Sequence, residues 1–326
     1  LFGAVSGSST STAAAIGSVG YPELKGRGYK PSIVVGTLAA GGTLGLLIPP
    51  SLALIIYGAT QNVSIGQLFI AGMLPGLLIA SAFSLWIVIR SKIGEPVTPA
   101  MKESVNWSDV GRGVLEIWPL PILIFFVLGT IYLGIATPTE SAALGVVASI
   151  ILGMTWGDLN LQRLWQAFKH ASLMFATIGM ILIGTVILSQ AVSLLGIPRT
   201  AVDAIGSLGF GPYGILLMIV IVYIVLGCFF DGISLLLMTL PITFPMITSL
   251  GFDPIWFGII VTLLIEIGMI TPPVGLNLFV LSSISNNEVD LTAAAKASLP
   301  YWLILLGAVG LFTVFPGIIL WVTEWV

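Results

Sequence analysis

Two stretches decide the fold: GGTLGLLIPPSLALIIYG at residues 41–58 and IEIGMITPPVGLNLFVLS at residues 265–282. At an offset of 223 residues, Gly45 falls on Gly268, Pro49 on Pro272 and Pro50 on Pro273. The same offset lays GSSTST (7–12) over FDGISL (230–235). Each copy thus holds a small-residue tip, a following half-helix, a polar loop and an apolar span interrupted by a Pro pair. Proline removes a backbone donor and disfavours helix at the residue before it, so each pair frees carbonyls from helical partners. Bare backbone in hydrocarbon costs several kcal/mol per group, so such breaks persist only where they line a cavity or bind something.

Composition places these breaks in a membrane. The 326 residues are 57% hydrophobic with 11 Lys+Arg and 14 Asp+Glu, and the mean hydropathy is +1.11. Apolar runs long enough to cross a bilayer recur along the chain. Spans are expected near Ile33–Tyr57, Leu68–Ile89, Ile117–Ile135, Pro138–Met154, Ala171–Leu195 and Tyr301–Val322. Residues 212–249 read as two apolar halves meeting at CFFDG, and Ile255–Ser285 as one span interrupted at TPP. A net charge of -3 gives no footprint for nucleic acid, and the single cysteine, Cys228, forms no internal disulfide.

The basic residues orient the chain. With Lys25, Arg27 and Lys30 on the cytoplasmic side, alternation puts Arg90, Lys92, Lys102, Arg112, Arg163, Lys169 and Lys296 there too, leaving Arg199 alone opposite. The two interrupted spans then run in opposite directions, an inverted-topology repeat. Inverted repeats with helices broken near the midplane are the pattern of secondary transporters. Parity does not decide whether 212–249 crosses twice or forms a re-entrant hairpin. LQRLWQAFKH (161–170) is amphipathic and reads as a helix in the membrane interface, with an N-cap offered by 158–160.

The run GAVSGSSTSTAAAIGS (3–18) answers to the same design. A hairpin tip that brings helix ends and a ligand together needs small side chains; Ser and Thr offer neutral oxygens to a hard cation, beside freed carbonyls. Amides at a half-helix N-terminus suit an anionic group. A small-residue packing face is the competing reading. Asp231 lies between two apolar halves, where charge is functional by default; the competing reading is an exposed turn. Glu266 either supports the second cation site or caps freed amides. Thr137-Pro138-Thr139-Glu140 fits a capping box, which suffices for Glu140. His170 reads as solvated, and Trp302, Trp321 and Trp325 as an aromatic belt. No GxSxG, HExxH or second histidine offers hydrolytic chemistry, so the chain reads as no enzyme.

The tip, KGRGYKPS, the IPPS stretch with VSIGQLFIAGMLPGLL, TPTESAA (137–143) and LIEIGMITPPVGLNLFV together resemble the large membrane subunit of tripartite ATP-independent periplasmic (TRAP) transporters, over essentially the whole chain. The resemblance implies an all-α polytopic membrane protein: an inverted-repeat, elevator-type transporter with two re-entrant helical hairpins and two broken helices. Residues 1–24 would be the remainder of the first hairpin, the chain being expected to start inside it. Residues 31–90 would hold the first broken helix and the helix after it, and 91–116 a cytoplasmic connection. Residues 117–197 would form scaffold and interfacial arm, and 198–326 the second hairpin, broken helix and last helix.

The implied activity is sodium-driven import of organic acids, usually carboxylates, across a bacterial inner membrane. A small four-helix membrane subunit and a periplasmic binding protein are the implied partners, Na+ the coupling ion, with no cofactor. Carried over, the first sodium site falls on Ser6, Ser8 and Ser9 with carbonyls around Gly45 and Ile48. The second falls on Asp231 and Ser234 with carbonyls around Gly268 and Thr271. The solute falls near Ser8, Thr10, Thr12 and Asn277. A stand-alone sodium/carboxylate symporter of the divalent-anion type, a proton-coupled carrier using Asp231 or Glu266, and a channel stand as alternatives.

Overall fold

A computed structural model describes residues 6–92, 108, 111, 113, 116–200, 202, 211–286 and 288–325. The expected connection 91–116 and the start of the chain lie largely outside them, as do the Trp325 side chain and most of 201–210. Among the described residues all regular structure is helical: α1 Ser9–Gly26, α2 Pro31–Thr43, α3 Leu52–Gln61, α4 Ile65–Lys92, α5 Pro119–Tyr132, α6 Pro138–Thr155, α7 Leu161–Leu194, α8 Pro212–Gly227, α9 Gly232–Ser249, α10 Pro254–Met269, α11 Leu276–Ile284, α12 Leu291–Val314 and α13 Gly317–Leu320, then a 3-10 turn at Trp321–Trp325. Five of them, α4, α6, α7, α9 and α12, are long and apolar enough to cross a membrane. This is a multi-pass membrane protein.

The chain divides into two compact units, one of residues 104–191 and the other of 2–103 with 192–326. In the first unit α5 packs on α6. The capping box at the start of α6 is formed: Thr137 Oγ1 accepts from the Glu140 amide and Glu140 Oε2 accepts from the Thr137 amide at 2.8 Å. One expectation shifts here. The amphipathic stretch 161–170 is not a separate helix but the beginning of α7, which runs unbroken for 34 residues. At 1.5 Å per residue that is about 50 Å, well beyond a ~30 Å hydrocarbon core. Asn160 caps it by accepting from the Arg163 amide at 2.8 Å. His170 lies exposed along it.

The second unit is built on the repeat. At the 223-residue offset, α1 lands on α9 residue for residue, and the starts of α2 and α10, both prolines, coincide. Even the proline inside α1, Pro22, meets one inside α9, Pro245. The packing is reciprocal: α1 lies on α2 and on α11 of the other copy, while α9 lies on α10 and on α3. Likewise α2 packs on α12, and α10 on α4. The copies are interlocked by this exchange. α10 is the core, with every residue from Trp256 to Met269 buried.

Both Pro pairs break helices. Helix stops at Thr43 and resumes at Leu52; it stops at Met269 and resumes at Leu276. Both Pro–Pro bonds are cis. With 13 and 10 residues, α2 and α3 are about 20 and 15 Å long, so neither half crosses a bilayer core alone. The last span begins at Leu291, ten residues before the expected Tyr301, because Asp290 caps it there by accepting from the Thr292 amide at 3.3 Å.

One ionic link ties the copies at the surface. Tyr21 Oη donates to Glu288 Oε2 at 3.0 Å and Lys25 Nζ donates to the same oxygen, joining α1 to the α11–α12 loop. The Lys25 ammonium, then Tyr21, hold the Glu288 carboxyl below its ordinary value of 4.5. A lowered carboxyl stabilises the fold above that ordinary value and ceases to do so as pH falls through the lowered one. Thermal unfolding in detergent should therefore weaken more steeply below pH 4.5 in wild type than in Glu288→Gln. The effect should be small, since the two side chains are 47% and 42% exposed.

Candidate functional site

The first tip is a turn at Gly7 and Ser8, between Ser6 and α1. Gly7, at φ +61°, makes that turn; its carbonyl accepts from the Leu52 amide at 3.3 Å, seating the tip on the restart of the first broken helix. Position 275 is the repeat mate of 52. Its amide donates to the Cys228 carbonyl at 3.4 Å, so the second tip is seated on the second break in the same manner.

The breaks themselves differ in how their carbonyls are used. Pro49 and Pro50 leave the carbonyls of Gly45 and Leu46 without helical donors. The Ser51 hydroxyl takes that of Leu46, while no donor among the described residues reaches Gly45 or Ile48. In the second break the Gly268 carbonyl accepts from the Thr271 amide at 3.0 Å. The Thr271 hydroxyl donates to the Ile267 carbonyl and accepts from Trp302 Nε1 at 2.9 Å. Trp302 is therefore a support of the break rather than a belt residue; no local sequence signal marked that role.

Among the sodium-site residues named above, Ser6 Oγ donates to the Ser8 carbonyl at 3.4 Å and Ser8 Oγ pairs with Thr10 Oγ1 at 3.3 Å. Ser9 is buried and takes no part in that pair. Its Oγ accepts from Asn277 Nδ2 at 2.6 Å, and the same amide group donates to the Ala39 carbonyl at 3.2 Å. Asp231 is exposed and serves as N-cap of α9, accepting from the amides of Ile233 and Ser234 at 3.1 Å each. No hydrogen bond among the described residues joins Asp231 to Gly268 or Thr271.

Ser9 and Asn277 bring the two copies together where α1 meets α11. Asn277 and Thr12 are each 0% exposed, and Asn277 Oδ1 and Thr12 Oγ1 have no hydrogen-bond partner. A buried orphan costs about 1–3 kcal/mol, so such atoms call for a ligand or another explanation. Among the described residues Glu266 joins these two as a residue with buried, unpartnered side-chain oxygens.

The chain matches the family model "Tripartite ATP-independent periplasmic transporter, DctM component" over residues 1–318. It belongs to that family. It is 35% identical to the C4-dicarboxylate TRAP transporter large permease protein of Pseudomonas aeruginosa, covering 100% of this chain and 75% of the relative. It is 33% identical to the ectoine/5-hydroxyectoine TRAP transporter large permease protein of Ruegeria pomeroyi, over 99% of this chain and 75% of the relative. It is 32% identical to the sialic acid TRAP transporter permease protein of Haemophilus influenzae, over 99% of this chain and 52% of that longer protein. A transporter large permease, not an enzyme, is the class these share. Within this TRAP permease, no cluster of three His, Cys, Asp or Glu able to hold a metal occurs among the described residues.

Proposed function

We propose that this TRAP large permease imports a small organic acid by sodium symport, binding it between the two tips and moving it by an elevator motion of the repeat-built unit. The observation that carries this is the orphaned buried oxygen of Asn277 at its contact with Ser9 between the copies, together with that of Thr12 on the same helix as Ser9. Hydroxyls and free carbonyls around Ser6, Ser8, Gly45 and Ile48 offer a hard cation neutral oxygens, the donor set that suits Na+. The second cation would use the free Asp231 oxygen with Ser234 and carbonyls of Gly268 and Thr271.

The acid's carboxylate belongs at α1. Its N-cap Ser8 makes no side-chain cap and its first turn carries no acidic residue, whereas α9 is already capped by Asp231. The amides opening α1 are thus available to an anion. The relatives' names range over dicarboxylate, ectoine and sialic acid, so the solute class is a small organic acid delivered by a periplasmic binding protein. A small four-helix subunit would complete the complex in the bacterial inner membrane.

Each net positive charge moved inward gains about 2.3 kcal/mol per 100 mV. A dianion therefore needs at least three Na+ for the potential to drive it. The test is uptake of labelled succinate, ectoine and sialic acid into proteoliposomes with binding protein and partner subunit present. Uptake of one of them at least tenfold faster under an inward Na+ gradient than under K+ is expected; equal rates for every transported solute would sink sodium coupling.

A further inference from the structure

The second break is open on a side where the first is closed. Pro272 and Pro273, both exposed, form one wall of a cavity of about 460 Å³, and α12 forms another with Thr292, Ala295, Lys296 and Leu299. The repeat supplies the comparison. The mates of Ala295 and Leu299 are Gly72 and Gly76, which bring α4 onto the first break. A Cβ on Gly72 would stand 2.8 Å from the Leu47 carbonyl oxygen, and one on Gly76 2.7 Å from Ile48 Cγ1. The mate of Thr292 is Phe69, which is buried, and the mate of Lys296 is Met73. Where the first copy is packed shut, the second carries a cavity with a hydroxyl and an ammonium in its lining.

Those two groups open a stripe along α12. Thr292, Lys296, Leu299 and Leu303 follow at intervals of three and four residues on one exposed face, the leucines 52% and 55% exposed. The helix starts at Leu291, so Lys296 stands within about 8 Å of its end, with apolar length beyond. Neither ion pair among the described residues includes Lys296. Asp290, the nearest acid along the chain, accepts from the Thr292 amide as the cap of α12. With the basic loops cytoplasmic, as the sequence orients the chain, this end of α12 meets the leaflet that carries anionic lipid, and basic pockets between helices on that side suit lipid headgroups.

We propose that the cavity holds an anionic phospholipid of the cytoplasmic leaflet, its phosphate on Lys296 and Thr292 and one acyl chain along Leu299 against the Pro pair. The single negative charge of a phosphodiester matches the one unpaired ammonium. A zwitterionic headgroup would bring a second cation beside it. The lipid covers the exposed prolines, so the bilayer completes the second break where α4 completes the first. The site depends on neither the sodium nor the solute reading.

The test is equilibrium binding of radiolabelled phosphatidylglycerol and phosphatidylcholine to the purified transporter in a neutral detergent. Phosphatidylglycerol should bind the wild type about fivefold more tightly, the scale of one lysine at an anionic headgroup. Lys296→Met, which copies the mate, should erase that preference and leave phosphatidylcholine binding unchanged. Lys169→Met, a cation of the other unit, should keep it. Ala295→Phe, which fills the cavity, should weaken phosphatidylglycerol about tenfold, the scale of two methylenes left unburied. If that variant does not accumulate, Ala295→Leu takes its place with a loss in the same direction. Equal binding of the two lipids by wild type, an unaltered preference in Lys296→Met, or an equal loss in Lys169→Met would overturn the proposal. Displacement of the lipid by succinate would assign the cavity to the solute and overturn it as well.

Discussion

Changing Asn277 to Asp should abolish uptake of an anionic solute while the helices stay in place. The two side chains have the same size, so packing between α1 and α11 is kept, and the Ser9 hydroxyl can turn to donate to the new carboxylate. What changes is charge at a position with no exposure. Two like charges about 4 Å apart repel by about 4 kcal/mol at an effective dielectric constant of 20, which is more than a hundredfold in binding. Asn277→Leu isolates the other contribution. It strands Ser9 Oγ and the Ala39 carbonyl, costing about 1–3 kcal/mol of stability, and removes the orphaned Oδ1, with an expected tenfold to hundredfold loss of uptake at about one or two hydrogen bonds. The order wild type, Leu, Asp in solute uptake, read beside thermal stability, is the signature of an anion bound next to residue 277. An Asp variant as active as wild type would place the solute elsewhere.

The breaks were legible because proline acts locally: a missing N–H and a clash with the preceding residue do not depend on tertiary context. Helix capping was equally readable at Thr137–Glu140, where donor and acceptor lie three residues apart. Asn277 could be carried over from the family motif, but its partner could not be read. The Ser9–Asn277 bond joins residues 268 positions apart, and nothing local to either names the other. Trp302 failed for the converse reason. A tryptophan in an apolar span resembles a belt residue by composition, and only the packing of α12 against the break turns its indole onto Thr271. The early start of α12 and the length of α7 were misjudged because amphipathic and polar stretches such as LTAAAKAS and LQRLWQAFKH can continue a span as one helix once a cap fixes its beginning.

The two copies keep one geometry and divide its uses. Both tips are seated through amides at mated positions 52 and 275, yet one tip has its helix start free and the other has it closed by Asp231. One Pro pair is packed inward, Pro49 being buried; the other, Pro272 and Pro273, is exposed beside a pocket of about 460 Å³ whose lining includes Lys296. Such divergence is what the proposed load of one acid and separate cations would require of a duplicated scaffold. Identical halves would hold identical ligands.

The second large effect concerns how the second tip is held. Gly227, at the end of α8, and Gly268, one turn before the break, touch backbone to backbone. A Cβ on Gly268 would stand 2.5 Å from Gly227 Cα and 2.8 Å from its carbonyl carbon; one on Gly227 would stand 2.8 Å from Gly268 Cα. Side chains can move out of such contacts, but these atoms are main chain on both sides. Gly268→Ala must push α8 off α10, and with it the Cys228 carbonyl off the Gly275 amide that seats the tip. Overpacking of this kind costs about 1–3 kcal/mol, and Gly268→Val more. The Gly227→Ala/Gly268→Ala pair should be worse than either alone, because neither change makes room for the other. Gly310→Ala, in the interior of α12 with nothing within 4 Å of its added methyl, is the matched control. It should be neutral or stabilise by up to about 1 kcal/mol through helix propensity. Sodium-dependent uptake should fall at least tenfold in Gly268→Ala and hold in Gly310→Ala. A Gly268→Ala protein as stable and active as the control would mean that the second tip does not bear on the broken helix, and the proposed second cation site would lose the contact argued to assemble it.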